Sequence, residues 1–97
     1  MTIEKKQNGT QLTLAIAGRL DTSTAPQMEV VVDEIAGIEE LVLDCSALEY
    51  VSSAGLRVIM KAQKKMAVAG SMKVTNVNET IMEVFEITGF DSFLTIE

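Results

Sequence analysis

The segment of this sequence best suited to chemistry is a pair of serines followed by a glycine. It reads Tyr50-Val51-Ser52-Ser53-Ala54-Gly55-Leu56-Arg57. The order of residues predicts a helix that begins here, with Ser52 as the N-cap that accepts from the free amides of the first turn. Ser53 then lies at an exposed edge, where a phosphate meets unpaired amides and the positive end of the helix. Two interpretations stay open on spacing alone, a phosphorylation site or two capping residues.

Three other side chains are candidates for chemistry. Asp21 and Asp44 are separate carboxylates near predicted strand ends, where an acid–base pair is conceivable. A metal site needs more converging oxygens than these, and the chain has no histidine. Cys45 lies in an apolar run, which favours a small buried hydrophobe over a reactive thiol. With neither a phosphate-cradling glycine loop nor a nucleophile–base pair, we expect no cofactor, no metal and no enzymatic activity.

Composition and charge exclude several classes of protein. Fourteen acidic and eight basic residues give a net charge of −6, the opposite of the balance typical of nucleic-acid binders. Cys45 is the single cysteine, which fits a reducing compartment. The N-terminus lacks the apolar core of a signal peptide, and the apolar runs are shorter than the roughly 20 residues of a membrane span. We expect a cytoplasmic protein of one domain, residues 1–97, without membrane insertion.

Alternating helix and strand patterns predict the elements that position the serines. The fold class is α/β, a mixed sheet of four or five strands with helices mainly on one face. In chain order we expect a hairpin turn at Asn8-Gly9, a strand over 12–17 ended by Gly18, a loop over 19–23, a helix from a Thr24–Gln27 capping box to about Ala36, a strand over 41–45, a short connection, a helix over 53–68, a strand over 72–77, a helix over 79–87 and a strand over 93–96.

The predicted helix over 53–68 has two distinct faces. Apolar residues at helical spacing form one stripe: Gly55, Val58, Ile59, Ala62 and Met66. Four of the eight basic residues form the other: Arg57, Lys61, Lys64 and Lys65. The basic stripe is either a solvated face or a docking face for an acidic partner. Leu56 and Met60, at the edge of the apolar stripe, are either interface residues or the rim of the core.

The serine segment resembles the signature of the STAS family, whose well-known soluble members are anti-sigma factor antagonists. Ser53 falls on the serine that is phosphorylated in those members. Gly18-Arg19-Leu20-Asp21 resembles the conserved loop after the second strand, and Leu41-Val42-Leu43-Asp44 resembles the central strand. The stretch from Val77 to Phe90, with Phe93 after it, resembles the tail of the family pattern. Two departures are the serine at position 52, where many members carry Asp, and the absence of a C-terminal helix after Glu97.

The resemblance implies a binding module in a partner switch. The unphosphorylated protein binds an anti-sigma factor that is also a serine kinase, and so frees a sigma factor. The kinase inactivates it at Ser53, and a serine phosphatase reverses this. The expected partner-binding residues are Asp21, Thr22, Ser52, Ala54, Gly55, Leu56, Arg57, Met60, Lys61 and Lys64. The alternatives are a STAS subunit of a transporter or sensory complex without a phosphorylation switch, and, from another class, an enzyme or nucleotide-binding protein.

Overall fold

The computed structural model describes residues 1–97 as one four-stranded sheet with three α-helices. The strands lie side by side in chain order; the first pair is antiparallel and the other two pairs are parallel. This confirms the predicted mixed sheet. The elements are β1 (Thr2–Asn8), β2 (Gln11–Leu20), α1 (Ala25–Asp33), β3 (Glu40–Val51), α2 (Ser53–Ala69), β4 (Ser71–Thr75), α3 (Glu79–Thr88) and a 3₁₀ turn (Phe90–Ser92).

The core lies between the helices and one face of the sheet. Alternate residues of β2 and β3 are buried together with residues of all three helices in a single cluster of 24. Its fully buried members include Leu14, Leu43, Met28, Ile59 and Phe85. Val42, which points to the opposite face of β3, is buried but lies outside that cluster. The helices therefore cover one face of the sheet, as predicted. None of them is both long and apolar enough to cross a membrane.

The strand β3 is longer than the predicted strand over 41–45. It continues past Cys45 to Val51 and pairs with β2 as far as Leu20, so the expected short connection and part of the expected loop are strand. Two register shifts each place an extra residue on β3. Its buried positions consequently become Cys45, Leu48 and Val51, three residues apart instead of two. A search for period-two alternation cannot recognise such a strand.

Helix α1 begins and ends differently from its prediction. The capping box is absent: the Thr24 hydroxyl makes no cap bond, but accepts from the Asp21 amide and donates to the Arg19 carbonyl, both at 2.8 Å. The helix ends at Asp33, not near Ala36. The Lys65 ammonium group donates hydrogen bonds to the last carbonyl groups of α1, those of Val32 and Asp33, at 2.9 and 3.1 Å. A side chain distant in sequence thus supplies the C-terminal partner.

The two chain ends also depart from expectation. Asn8 pairs with Gln11, so the hairpin turn is Gly9-Thr10, with the positive φ of 63° on Gly9. The predicted last strand is a single bridge between Val74 and Ile96. The sheet therefore has four strands and not five.

The other helices and β4 follow the pattern closely. Ser52 caps α2, and Asn78 caps α3, which ends at Gly89 in the left-handed conformation. β4 ends at Thr75, two residues early, because Asn76 adopts a positive φ of 56°.

We expect Gly55 to be sensitive to any side chain. A Cβ atom there would lie 2.7 Å from both Leu20 Cγ and the Leu20 carbonyl oxygen, and 3.0 Å from Val51 Cγ2. Gly55→Val should therefore lower the free energy of unfolding by about 1–3 kcal/mol more than Ala54→Val at the adjacent half-buried position. Urea unfolding of the two variants measures this difference. Equal midpoints would contradict the close packing of α2 on β2.

Candidate functional site

The predicted serine pair lies where β3 passes into α2. The Ser52 amide donates to the Leu20 carbonyl at 2.9 Å, which extends the pairing of β2 with β3 by one hydrogen bond. The Ser52 backbone is extended, and its hydroxyl oxygen accepts from the Gly55 amide at 3.3 Å. Ser52 is thus the N-cap of α2, as predicted.

Ser53 is left free by this arrangement. It is the first residue of α2 and is exposed. Its hydroxyl takes part in none of the hydrogen bonds of the structure, and neither its amide nor that of Ala54 has a partner. The two serines therefore have different roles: Ser52 satisfies the helix end, whereas the hydroxyl of Ser53 is open to a modifying enzyme.

The loop before α1 is ordered by Asp21. Its Oδ1 accepts from the Ser23 hydroxyl at 2.7 Å, from the Ser23 amide at 3.0 Å and from the Thr24 amide at 3.3 Å. These bonds, led by that of the Ser23 hydroxyl, hold the pKa of the Asp21 carboxyl below its ordinary value. Asp21 is therefore a negatively charged turn former, and it is poorly suited to act as a general base.

A second contact ties this loop to the residues before Ser52. The Arg19 Nε lies 3.7 Å from Asp21 Oδ2, and the Arg19 guanidinium carbon lies 4.2 Å from the centre of the Tyr50 ring. The loop after β2 and the last residues of β3 are thereby held side by side.

Four of the predicted site residues line one surface groove between α1 and α2. They are Thr22, Ala54, Arg57 and Lys61. The other side of the groove comes from α1 and includes Pro26 and Glu29, which the sequence did not indicate. No local pattern identifies them, because they meet α2 only through the packing of the two helices.

The remaining predicted residues differ in accessibility. Gly55 and Leu56 are buried, so Leu56 belongs to the core. Met60 is half-buried, and Lys64 is exposed outside the groove.

The basic stripe of α2 is partly engaged within the protein. The Lys61 ammonium lies 2.8 Å from Asp33 Oδ1 and 3.0 Å from Glu29 Oε2, and these hydrogen bonds raise its pKa. Lys65 caps α1, as described above. Arg57 and Lys64 form no ion pair. A docking role for Lys61 stays a prediction, and two of the four cations join α2 to α1.

Asp44 and Cys45 lie outside the groove lining. Asp44 Oδ1 accepts from Asn76 Nδ2 and from the Ser46 amide, each at 3.0 Å, and these bonds lower its pKa. Cys45 is fully buried, and burial raises the pKa of its thiol to about 12. The cysteine is therefore a buried hydrophobe, as expected, and stays a thiol at neutral pH.

Comparison with known proteins identifies the family. The family model described as STAS domain matches residues 2–97. The chain belongs to the STAS domain family. One similar relative is BtrV of Bordetella bronchiseptica, named as an anti-sigma factor antagonist, which is 34% identical over 91 residues covering 88% of this chain and 76% of BtrV. Another is the anti-sigma-B factor antagonist of Bacillus subtilis, 30% identical over 99% of this chain and 90% of that protein.

A similar fold is seen in a solved structure of the Bacillus cell fate determinant SpoIIAA in its phosphorylated form. The TM-score is 0.77 at 16% identity, covering 99% of this chain and 91% of that chain. At 16% identity, this similarity shows a shared fold and does not by itself assign a function.

We expect the acidity of Asp21 to depend on Ser23. Ser23→Ala removes the largest cause of the lowered pKa, so the pKa of Asp21 should rise toward its ordinary value of 3.8. Because the folded pKa is lower than the unfolded one, these bonds stabilise the fold above about pH 4, and the stabilisation is lost as the pH falls further. Carboxyl ¹³C NMR titration measures the change. Ser92→Ala is the control, since that hydroxyl donates to Gly89; an unchanged Asp21 pKa in Ser23→Ala contradicts the assignment.

Lys61 and Lys64 should respond differently to removal of their charge. Lys61→Gln breaks two ion pairs between α2 and α1 and should lower the urea midpoint at low salt, whereas Lys64→Gln should leave it unchanged. High salt screens exposed pairs, so the difference should shrink there. The Lys61 pKa is raised in the fold, so its contribution is present below the ordinary value of 10.5 and is lost as the pH rises above it. Equal midpoints at low salt would show that the pairs contribute nothing.

Proposed function

We propose that this STAS domain is an anti-sigma factor antagonist whose unphosphorylated surface around Ser53 binds an anti-sigma factor. Phosphorylation of Ser53 ends the binding. The observation that carries the proposal is the exposed, unbonded hydroxyl of Ser53 at the first turn of α2, next to the groove between α1 and α2. The two relatives named as anti-sigma factor antagonists support it.

The proposed partner is an anti-sigma factor that is also a serine kinase. When the chain binds it, the partner releases its sigma factor. The kinase transfers the γ-phosphoryl group of ATP to Ser53 Oγ, releasing ADP and a proton, and a separate serine phosphatase hydrolyses the phosphate ester. The chain is then a ligand and a phosphate acceptor in the cytoplasm, and it catalyses no step itself.

The local geometry favours Ser53 over Ser52 as the modified residue. The Ser52 oxygen is half-buried and occupied by the Gly55 amide. For phosphorylation, the serine hydroxyl must be accessible so that its oxygen can attack the γ-phosphorus of ATP, and at Ser52 this requires loss of the helix cap. At Ser53 no bond is broken, and the unpaired amides of Ser53 and Ala54 can receive the phosphate oxygens.

The proposed contact surface combines exposed and positioning residues. Thr22, Ala54 and Arg57 line the groove beside Ser53, and Met60 and Lys64 continue along α2. Asp21 orders the loop that contains Thr22, while the buried residues Gly55 and Leu56 allow α2 to pack closely against the sheet. Lys61 contributes through its hold on α1 and through its place in the groove lining.

The energetics explain why one phosphate suffices as a switch. Phosphorylation adds about −1.5 to −2 charges and three strong acceptors. On the free domain the group lies at the exposed helix end, in contact with water and beside the unpaired amides of Ser53 and Ala54, and the same fold is known in a phosphorylated form in SpoIIAA. Within an interface it loses its water, and an unpaired buried charge costs several kcal/mol. That cost corresponds to a loss of affinity by orders of magnitude.

Variants of Ser53 test the switch. Ser53→Asp should keep the native fold and lose affinity for the anti-sigma factor kinase, because it places a charge in the interface. Ser53→Ala should bind, since only a small hydroxyl is removed, and should remain bound when kinase and ATP are present. Titration calorimetry before and after kinase treatment, with the anti-sigma factor kinase encoded nearest this gene, measures both.

Ser52→Ala is the matched control. It should remain phosphorylatable while losing about 1 kcal/mol of stability with its cap. If Ser53→Ala still gains phosphate and is released, the switch residue is elsewhere, and mass spectrometry of that variant will locate it.

A further inference from the structure

Arg57 differs from the other cations of this acidic chain. Arg19, Lys61 and Lys73 form ion pairs, and Lys65 binds the end of α1. Lys5 and Lys6 lie on β1. On α2 this leaves two basic side chains without an ion pair or a hydrogen bond, Arg57 and Lys64, and Arg57 is the one that lines the groove beside Ser53. An exposed guanidinium next to the proposed phosphate acceptor is thus unoccupied.

Helix geometry brings Arg57 to Ser53. Ser53 is the first residue of α2 and Arg57 is four residues later, so the two share a face with Cβ atoms about 5–6 Å apart. Side chains of a helix lean toward its N-terminus, which places the guanidinium over the turn that carries Ser53. An anion followed by a cation four residues later is also the favourable order for such a pair.

The carboxylates around the groove do not compete for Arg57. Glu29 lines the same groove, but its Oε2 lies 3.0 Å from the Lys61 ammonium. Asp21 is held by Ser23 and Thr24 and lies 3.7 Å from Arg19. The first turn of α2 contains no acidic residue.

We propose that Arg57 is the internal counter-ion of the phosphate on Ser53. Its planar fork forms charge-assisted hydrogen bonds with two phosphate oxygens. The inference deepens the proposed function and rests on it for its biological role. Phosphorylation then acts twice on the binding surface: it adds negative charge, and it withdraws from the partner the one unpaired cation of the groove.

The contact can be tested without any kinase. Phosphoserine is installed at position 53 by codon suppression, and the phosphate is titrated by ³¹P NMR in the chain with Arg57 and in Arg57→Gln. The second phosphate pKa of about 6 should be about 0.3 unit lower with Arg57 present, since the guanidinium favours the dianion. Arg57→Lys should restore part of the shift, because it keeps the charge and loses the fork.

Lys64→Gln is the matched control. Lys64 is equally free of ion pairs, but it lies eleven residues after Ser53, about 16 Å along the helix and beyond the Debye length of about 8 Å at physiological salt. Its removal should leave the titration unchanged. Identical titrations with Arg57 and with Gln at position 57 would overturn the proposal, and so would an equal effect of Lys64→Gln.

A binding measurement separates this inference from the proposed function. Without phosphate, Arg57→Gln should bind the anti-sigma factor kinase more weakly than the chain with Arg57, because the groove then offers the partner no unpaired cation. Equal affinities of the two unphosphorylated chains would overturn the second action of the phosphate. If the unphosphorylated chain fails to bind any anti-sigma factor, the proposed function is wrong, while the NMR result still decides whether Arg57 holds the phosphate.

Discussion

The close approach of the first turn of α2 to the ends of β2 and β3 fixes the position of the serine segment on this domain. Gly55 permits it, because a Cβ atom at that position would meet both the side chain and the backbone of Leu20. The hydrogen bond from the Ser52 amide to the Leu20 carbonyl holds the same junction. The exposure of Ser53 is a consequence of this packing: with one side of the turn packed against the sheet, the residue directly after the cap faces solvent.

The two bulges of β3 determine which of its residues lie at that junction. Each adds one residue to β3 relative to β2, so that Val51 comes to lie opposite Leu20 at the end of the paired region. Between the two bulges the shift turns Leu48 toward the core, where uninterrupted alternation from Cys45 would have placed Ala47 and Glu49; the second bulge restores the alternation, so that Val51 is buried again. The bulges also bring Tyr50 opposite Arg19, which places the aromatic ring under the guanidinium and joins the loop of Asp21 to the serine segment.

The parts of the site that sequence could predict are those determined by neighbours in the chain. The cap at Ser52, the amphipathic helix behind it and the helix predicted over 79–87 depend on residues three or four positions away, and each lies close to its predicted place. The family resemblance added the expectation that Ser53 is phosphorylated, which spacing alone leaves open. The Thr24 capping box shows the limit of local rules, because the Arg19 carbonyl and the Asp21 amide compete successfully for that hydroxyl.

Contacts between distant segments escaped prediction for a physical reason. Lys61 and Lys65 looked equivalent to Arg57 and Lys64 on a helical projection, since periodicity reports the face of a helix and not what packs against it. In the structure the four basic residues fall into two pairs. Lys61 binds Glu29 and Asp33 of α1, and Lys65 binds the C-terminal end of that helix. Arg57 and Lys64 have no such partner. A stripe of like charges on one helix can therefore serve two purposes. Lys61 and Lys65 hold α1 against α2 along the groove, and Arg57, the residue nearest Ser53, keeps an unpaired charge. The positive charge that α2 presents at its surface consequently depends less on how many basic residues the stripe contains than on which of them the neighbouring helix has already neutralised.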